Sequence, residues 1–335
     1  MRAVLALLLF AGSGTAADVQ PKPLLTEKQL GEGRLMLFDG ESAFGWNATG
    51  DVTVEKGVLT LAPEAVVEWP FALGPGNVFL KFADLGTGSF KVEVGGSTVD
   101  IRNPKGETIS GTSLGDGTRA VGKLKITAPK DKPLSLTAIQ FRPQGTAPIF
   151  NGKDLKGWKK FEGEAKRELS EFTVTDGKEL KVTNGPGDLR TEAKYADFAL
   201  QFECKTNGPA LNGGVFFRCV ADEYQFGYEC QIQNGFKDED RTKPTDFGTG
   251  SIYRRIAARK VVPNDQEWFC VTVMARGPNI ATWVNGYPVV SWLDERPKDD
   301  NPRKGLRTAA GHLSIQGHDK TTDILFRNLR IADWK

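Results

Sequence analysis

One phrase occurs twice in this chain of 335 residues. Residues 37–46 read LFDGESAFGW, and residues 149–158 read IFNGKDLKGW. Each copy opens a stretch of β-forming residues, and the two stretches close on Phe141-Arg142 and Phe326-Arg327. Repeated opening and closing phrases predict two tandem modules, and we expect the chemistry in the longer, second one.

The composition favours β-structure in both stretches. Apolar runs are short and separated by turn residues, and the chain holds 38 glycines and 18 prolines. This pattern is typical of antiparallel sheets rather than helices. We therefore expect an all-β protein of two tandem β-sandwich modules, at residues 35–143 and 149–335, joined by a linker at 144–148. A leader at residues 18–34, with a short helical piece, precedes them.

Residues 1–17 have the pattern of a secretory signal. Arg2 precedes an apolar run from Ala3 to Ala11, and small residues continue to Ala17. The run is shorter than the about 20 residues that span a bilayer, so we expect a cleaved signal and no membrane span. The predicted location is secreted or periplasmic. The formal net charge of +2 gives no reason to expect a nucleic-acid partner.

The four cysteines all lie in the predicted second module, at Cys204, Cys219, Cys230 and Cys270. Export permits disulfide bonds between them, and buried free thiols are the alternative. There is no CxxC pair and no cluster of cysteine with histidine, so a structural zinc site is not expected.

Alternation along three predicted strands places polar groups on one face of the second module, because successive side chains in a strand point to opposite faces. The predicted polar set is Arg218, Glu229, Gln231, Gln233, Gln316 and His318. The predicted core set on the same strands includes Cys230, Ile232, Leu313 and Ile315. If the strands are neighbours, the polar set lines a groove.

Amides, a carboxylate, an arginine and aromatic rings together suit a sugar, which offers many hydroxyls and one apolar ring face. A loop flexed by glycines, residues 247–253, would bring Tyr253 to this groove. The alternative is an ordinary solvated outer face of an antiparallel sheet. The highly charged run at residues 294–307 is most simply a solvated loop.

Motifs along residues 149–335 resemble, in order, those of the 3-keto-disaccharide hydrolase domain family, also described as 3-keto-glucoside lyase/hydratase. The fold that this resemblance implies is similar to the concanavalin A-like jelly roll. The matching segments are residues 150–152, 157–158, 195–198, 212–218, 228–232, 250–253, 283–286, 316–318 and 326–330. The first module shares only the opening phrase.

The resemblance implies a glycoside that is already oxidised at C3. The ketone acidifies the proton on C2, a base removes it, and the C1 aglycone leaves by elimination; water can then add to the resulting glucal. This path does not need the paired acids that flank the bond in ordinary glycosidases. It needs a base, a stabiliser of negative charge on the C3 oxygen, and a proton donor for the leaving group.

The resemblance also implies roles for particular residues. Either His318 or Glu229 is the base, and Arg218 stabilises the oxyanion unless a divalent cation held by Glu229 and His318 does so. The predicted substrate contacts are Gln231, Gln316, Tyr253, Asn212 and Gln233. The other hypothesis is a non-catalytic, lectin-like carbohydrate-binding protein, since the same scaffold serves lectins.

Overall fold

A computed structural model describes residues 23–84, 89–94, 97–102, 109–114 and 122–334. The predicted signal at residues 1–17 lies outside them. The predicted helical piece of the leader is α1, Glu27–Gly31, whose N-cap Thr26 and Gln29 cap each other reciprocally. A single 3₁₀ turn, Ala165–Arg167, is the other helical element in the described part of the chain.

Strands of the first part of the chain form two antiparallel sheets. Their bounds are β1 Leu35–Met36, β2 Asn47–Thr49, β3 Val52–Glu55, β4 Val58–Leu61, β5 Val66–Glu68, β6 Gly76–Asp84, β7 Ser89–Val94, β8 Ser97–Arg102, β9 Ile109–Leu114, β10 Leu124–Thr127 and β11 Leu134–Pro143. One sheet has the order β3-β4-β11-β6-β9, with β1 paired to β11, and the other has the order β2-β5-β10-β7-β8.

Strands of the second part form another pair of antiparallel sheets and a small hairpin. Their bounds are β12 Ala147–Pro148, β13 Trp158–Lys160, β14 Glu171–Val174, β15 Leu180–Thr183, β16 Gly187–Thr191, β17 Phe198–Thr206, β18 Gly213–Cys219, β19 Tyr228–Ile232, β20 Phe236–Lys237, β21 Asp240–Pro244, β22 Phe269–Arg276, β23 Asn279–Val284, β24 Tyr287–Leu293, β25 His312–Gly317 and β26 Asp323–Asp333. The larger sheet has the order β14-β15-β26-β17-β22-β23-β24, with β12 paired to β26. The smaller sheet has the order β13-β16-β25-β18-β19, and the hairpin is β20-β21. The all-β prediction is confirmed.

The two parts of the chain repeat one strand order. The series β3-β4-β11-β6 corresponds to β14-β15-β26-β17, and β2-β5-β10-β7-β8 corresponds to β13-β16-β25-β18-β19. In both parts the two-residue strand before the repeated phrase, β1 or β12, pairs with the last strand. β9, beside β6, likewise corresponds to β22, beside β17, so the second part differs by its added strands β20–β21 and β23–β24 and by its longer loops. The exact domain boundaries stay a prediction.

The repeated phrase makes the same turn twice. Trp46 Nε1 donates to the carbonyl of Leu37 at 2.6 Å, and Trp158 Nε1 donates to that of Ile149 at 2.7 Å. In each copy the acidic or amide side chain, Asp39 or Asn151, accepts from two backbone N–H groups further along the turn. Glycines at equivalent places have positive φ angles, which explains why the spacing of the phrase is preserved.

The larger sheet of the second part is buried on both faces. One face packs against the smaller sheet through residues such as Phe198, Leu200 and Val273. The other face joins the core of the first part through Ala199, Met274, Ala281, Trp283, Ala332 and Trp334. The two parts therefore share a core rather than meeting only at the linker.

The predicted core residues Cys230, Ile232, Leu313 and Ile315 are each at most 1% exposed. The four cysteines are free thiols, three of them buried, so the thiol alternative describes this structure. Within the described residues no helix is long and apolar enough to cross a membrane.

Candidate functional site

The smaller sheet of the second part carries polar side chains on the face turned away from the core. We call this surface the polar face; its sheet positions are Asp188, Arg190, Gly214, Phe216, Glu229, Gln231, Ser314 and Gln316. The strand register sets the rows: Glu229 lies opposite Phe216, which lies opposite Ser314, and Gln316 lies opposite Asp188. Neighbouring strands thus bring together residues that are far apart in sequence.

The polar face is buried although it does not face the core. Asp188, Glu229, Gln231, Ser314 and Gln316 are each between 0% and 6% exposed. A solvated outer face would leave such side chains in water, so that alternative is wrong. Loops that include Gln225, Tyr253 and Arg303 cover this surface instead.

The equivalent face of the first part is an ordinary sheet surface. Lys125 and Glu93 there form an exposed ion pair at 3.8 Å, and Lys123 and Glu68 form another at 2.9 Å. Val66 takes the place that Asp188 has in the second part, because β5 corresponds to β16. The comparison within one chain locates the candidate site in the second part.

Glu229 is the buried acid at one side of the polar face. Burial raises the pKa of its carboxyl to about 8, although the nearby Arg303 guanidinium opposes the shift. Arg303 Nη2 lies 3.8 Å from Glu229 Oε2. A carboxyl in this state holds its proton at neutral pH and can donate it.

Asp188 is a second buried acid that the sequence reading did not single out. Burial raises the pKa of its carboxyl to about 6, and a hydrogen bond from Gln225 opposes this shift. Gln225 Nε2 donates to Asp188 Oδ1 at 3.2 Å, and the nearby Ser314 hydroxyl also lowers the Asp188 pKa, but Oδ2 has no partner in hydrogen-bonding geometry. A buried carboxylate oxygen with an unused lone pair is placed to accept a proton or a hydroxyl.

The two acids are linked through two side chains. Gln225 donates to Asp188 and accepts from Arg303 Nη2 at 3.3 Å, and Arg303 in turn lies beside Glu229. The carboxyls also interact electrostatically, because the charge of Asp188 helps to raise the pKa of Glu229. Environments that separate two pKa values in this way are typical of paired acid and base roles.

Amide side chains present unused acceptors on the same face. Asp246 Oδ2 accepts from Asn212 Nδ2 at 2.7 Å and from Gln231 Nε2 at 3.0 Å. Both amide oxygens are therefore turned away from Asp246, and both lack a partner, as does Gln316 Oε1. Such groups suit the hydroxyl donors of a sugar. The structure thus brings Asn212, Gln231 and Gln316 together around Glu229.

Tyr253 also lies at this site, as the sequence predicts. Its backbone N–H donates to the carbonyl of Glu229 at 2.9 Å, and it lines a cavity beside the Glu229 side chain. Its ring meets Phe247 edge to face, with centroids 5.3 Å apart.

Arg218 does not belong to this site, and its predicted place on the polar face is wrong. A β-bulge interrupts β18 after Phe216, and Arg218 has a φ of 53° there. Its fully buried guanidinium binds Asp197 Oδ1 and three carbonyl oxygens, those of Ala196, Gly277 and Arg307. The inserted residue breaks the alternation on which the prediction depended.

His318 and Gln233 also differ from the prediction. His318 lies past the end of β25 and is exposed, with Nδ1 2.8 Å from Asp319 Oδ2. It is four residues from Ser314, in the row of Glu229, which amounts to about 13 Å along the strand. Gln233 follows the end of β19, and its amide serves Ala210, Gly235 and Thr245. Neither presents a free group beside Glu229.

A divalent cation shared by Glu229 and His318 does not fit this arrangement, because the two side chains lie in separate rows. Among the described residues no three His, Cys, Asp or Glu side chains come together as a metal site. We therefore derive no step through a metal.

The charged run at residues 294–307 is not simply solvated. Asp294 is 1% exposed and receives hydrogen bonds from Tyr228 and Arg296. These bonds hold the run against the sheet and place Arg303 beside Glu229.

A covered sheet face with two linked acids, unpartnered amide oxygens and aromatic rings defines a carbohydrate-active β-sandwich protein. The model of the 3-keto-alpha-glucoside-1,2-lyase-like domain family matches residues 145–332, more than half of the chain. The chain belongs to this family, which confirms the resemblance read from the motifs. Among curated proteins none matches the chain.

Three solved structures illustrate the likeness. A candidate glycosyl hydrolase from Parabacteroides distasonis has 23% identity and a TM-score of 0.46, over 57% of this chain and 95% of that chain. A carbohydrate-binding module from Bacillus subtilis has 14% identity and a TM-score of 0.37, over 52% and 93%. A β-1,3-1,4-glucanase from a mouse hindgut metagenome has 14% identity and a TM-score of 0.38, over 57% and 98%. All three TM-scores are below 0.5, so we infer nothing further from them.

Proposed function

We propose that the protein is an exported enzyme that cleaves 3-keto-glycosides by elimination at the polar face. The observation that supports this most strongly is the pair of buried acids, Asp188 and Glu229, linked through Gln225 and Arg303. Their pKa values of about 6 and about 8 lie on either side of neutrality. One acid is then mostly ionised and the other mostly protonated at the same pH.

The two pKa values support one assignment of the roles. Asp188, ionised near neutral pH, removes the proton from C2 through its free Oδ2. The electrons of the C2–H bond form an enediolate, whose negative charge lies on the C3 oxygen. The C1–O bond then breaks as Glu229 delivers its proton to the departing aglycone oxygen. The products are the free aglycone and a 2-hydroxy-3-keto-glucal, to which water can add. Glu229 thus acts as an acid rather than as the base.

Arg303 takes the role that the sequence reading gave to Arg218. Its guanidinium lies beside Glu229 and is bound on one side by Gln225, so it can face developing negative charge on the C3 oxygen. A fixed positive group at a covered site stabilises such charge without reorganising during the reaction. The unpartnered oxygens of Asn212, Gln231 and Gln316 orient the sugar hydroxyls.

A lectin-like protein remains the other candidate function, since unpartnered amides would also bind a sugar that does not react. Two linked acids with separated pKa values are not needed for binding alone, which favours catalysis. A protein that binds glucosides and releases no aglycone from a 3-keto-glucoside would be a lectin.

The test is to incubate the protein with a chromogenic 3-keto-glucoside and follow release of the aglycone. We expect release from the 3-keto form and very little from the unoxidised glucoside, whose C2 proton is not acidic. Glu229→Gln and Asp188→Asn should each lower the rate by ~10²–10⁴-fold. Glu171→Gln, an exposed change in β14, is the matched control and should keep the parent rate. Equal cleavage of both glucosides would contradict the elimination.

Export is proposed from residues 1–17 alone. The mature protein, recovered from the medium or periplasm, should begin after Ala16 or Ala17. An intracellular protein that keeps residues 1–17 would contradict this proposal.

A further inference from the structure

The cavity beside Glu229 is small and lined by guanidinium groups. Arg254, Arg255 and Arg303 line it together with Glu229, Tyr253 and Pro302. Its volume of about 100 Å³ is well below the ~300–1,000 Å³ of pockets that hold a whole small ligand. It has room for a chemical group of a few atoms, with the rest of a ligand outside it.

Among the described residues, few carboxylates come close to the positive charge of this cavity, although Asp294 acts electrostatically on Arg255. The shortest approach of a carboxylate to these three guanidinium groups is that of Glu229, 3.8 Å from Arg303. Arg255 donates to the backbone carbonyls of Arg254 and Arg303, and the Arg254 guanidinium lies over the Tyr253 ring. Asp188 and Asp246 influence Glu229 electrostatically, but neither lines the cavity.

The loop that carries two of these arginines is held in place. Ile252 forms bridges with both Cys230 and Ile256, and Tyr253 N–H donates to the carbonyl of Glu229. Arg254 has a φ of 57°, an unusual value for this residue type. The backbone at Arg254 and Arg255 is therefore held by the fold. Burial lowers the pKa of Arg255, and the like charges of Arg296 and Arg303 add to this shift, whereas Asp294 opposes it.

We propose that this cavity is a subsite for an anionic group, a carboxylate or a phosphate ester, carried by the sugar substrate. The inference rests on the proposed function for the place of the sugar, and it adds the substrate class. One guanidinium, that of Arg303, suffices to stabilise the enediolate, which leaves Arg254 and Arg255 without a role in the chemistry. Planar guanidinium groups suit both carboxylate and phosphate oxygens.

Unoxidised sugars serve as binding probes because their C2 proton is not acidic. Calorimetry on the full chain would compare D-glucose, D-glucuronate and D-glucose 6-phosphate, with inorganic phosphate alone as a fourth probe. We expect at least one anionic sugar to bind ~10-fold or more tightly than glucose, as for one added charge-assisted hydrogen bond. Whether D-glucuronate or D-glucose 6-phosphate binds more tightly shows whether the cavity prefers a carboxylate or a phosphate ester. Added salt should reduce the difference.

A pair of variants tests whether the cavity causes the preference. Arg254→Gln should reduce the difference in binding affinity between anionic and neutral sugars. Arg142→Gln, in β11 of the first part, should leave that difference unchanged. Equal affinity of the parent for all three sugars, or an anion preference that Arg254→Gln does not change, would overturn the subsite. Glucose binding with no aglycone release from a 3-keto-glucoside would contradict the proposed function. It would not affect the binding comparison that tests the anionic subsite. Binding of inorganic phosphate with no sugar binding would support the anion site and contradict the sugar groove.

Discussion

At the scale of single residues, the site depends on burying two acids that would both be ionised at neutral pH in water. Glu229 and Asp188 are 6% and 2% exposed, and desolvation is the first cause of both raised pKa values. Burying these acids lowers the stability of the folded state. It also provides a proton donor and a proton acceptor that are both present near neutral pH.

The pH dependence of kcat/KM follows from these two values. The rate should rise as pH increases through about 6, where Asp188 loses its proton, and fall through about 8, where Glu229 loses its proton. The charged groups facing Glu229 are Arg303, Asp188, Asp246 and Arg254, and Arg190 faces Asp188. A pH–rate profile with the 3-keto-glucoside checks this, since kcat/KM reports the free enzyme. A rate that climbs steadily past pH 9 would contradict the acid role of Glu229.

Stability should respond to pH in the opposite sense to that of an ion-paired carboxylate. The pKa of Glu229 is higher in the folded state than in the unfolded state. The contribution of this carboxyl to the free energy of unfolding is therefore fully present below about pH 4.5 and is lost as pH rises through about 8. The Glu229→Gln variant has no carboxyl to ionise at this position, so it does not lose this stability at high pH. At pH 9 its free energy of unfolding should exceed that of the parent by on the order of a few kcal/mol.

Denaturant unfolding at pH 4 and pH 9 measures this difference. At pH 4 the variant and the parent should agree closely, and Glu171→Gln should follow the parent at both values. If Glu229→Gln were less stable at pH 9, the carboxylate would be stabilised by a partner that outweighs its burial.

At the scale of elements, β18 shows where alternation holds and where it fails. Phe216 keeps the register with Glu229 and Ser314, but the bulge that follows sends Arg218 towards the end of the sheet. There its guanidinium joins the loops at Ala196, Gly277 and Arg307. The side chain holds loops together instead of facing a substrate.

Arg218→Met should therefore act on stability. Removing the guanidinium leaves three carbonyls without this partner and Asp197 with only the Gly277 N–H, which is expected to cost ~3–5 kcal/mol. Activity per folded molecule should stay near that of the parent. Thermal unfolding and aglycone release, corrected for the folded fraction, measure the two effects. A stable variant that had lost ~10²-fold or more in rate would return Arg218 to the catalytic set.

The sequence predicts correctly on which face a residue lies where its strand alternates regularly. It places Glu229, Gln231 and Gln316 on one face and Cys230 and Ile315 on the other, since β19 and β25 are regular. Asp188 escapes it because β16 is short, follows a Gly-Pro pair and contains Asp188 beside Leu189 and Arg190, a pattern that also suits a loop. Arg303 and Gln225 lie in loops, whose positions depend on contacts such as those of Asp294 and cannot be read from periodicity.

At the scale of the whole molecule, the shared core couples the two parts of the chain. Trp283 of the second part is fully buried, stacks on Trp69 of the first part at 6.2 Å, and donates to the carbonyl of Met36 at 2.7 Å. Arg259 and Asp39 add a partly buried ion pair across the same boundary. Two parts connected in this way are expected to unfold together.

Calorimetric unfolding should then show one transition for the whole chain. Trp283→Ala should lower the stability by ~3–5 kcal/mol, as expected for removal of a large buried aromatic ring, and should shift that transition without dividing it. Two resolved transitions in the parent would show that the parts are independent despite their contact.

The acids and the arginines of the site have different supports. Asp188 and Glu229 lie on strands of the smaller sheet, whereas Arg254, Arg255 and Arg303 lie on connecting loops. Loops accept insertions and exchanges that strands do not tolerate. Relatives could thus retain one reaction and acquire new substrates by replacing loops alone, and a designer could alter specificity on this scaffold without rebuilding its chemistry.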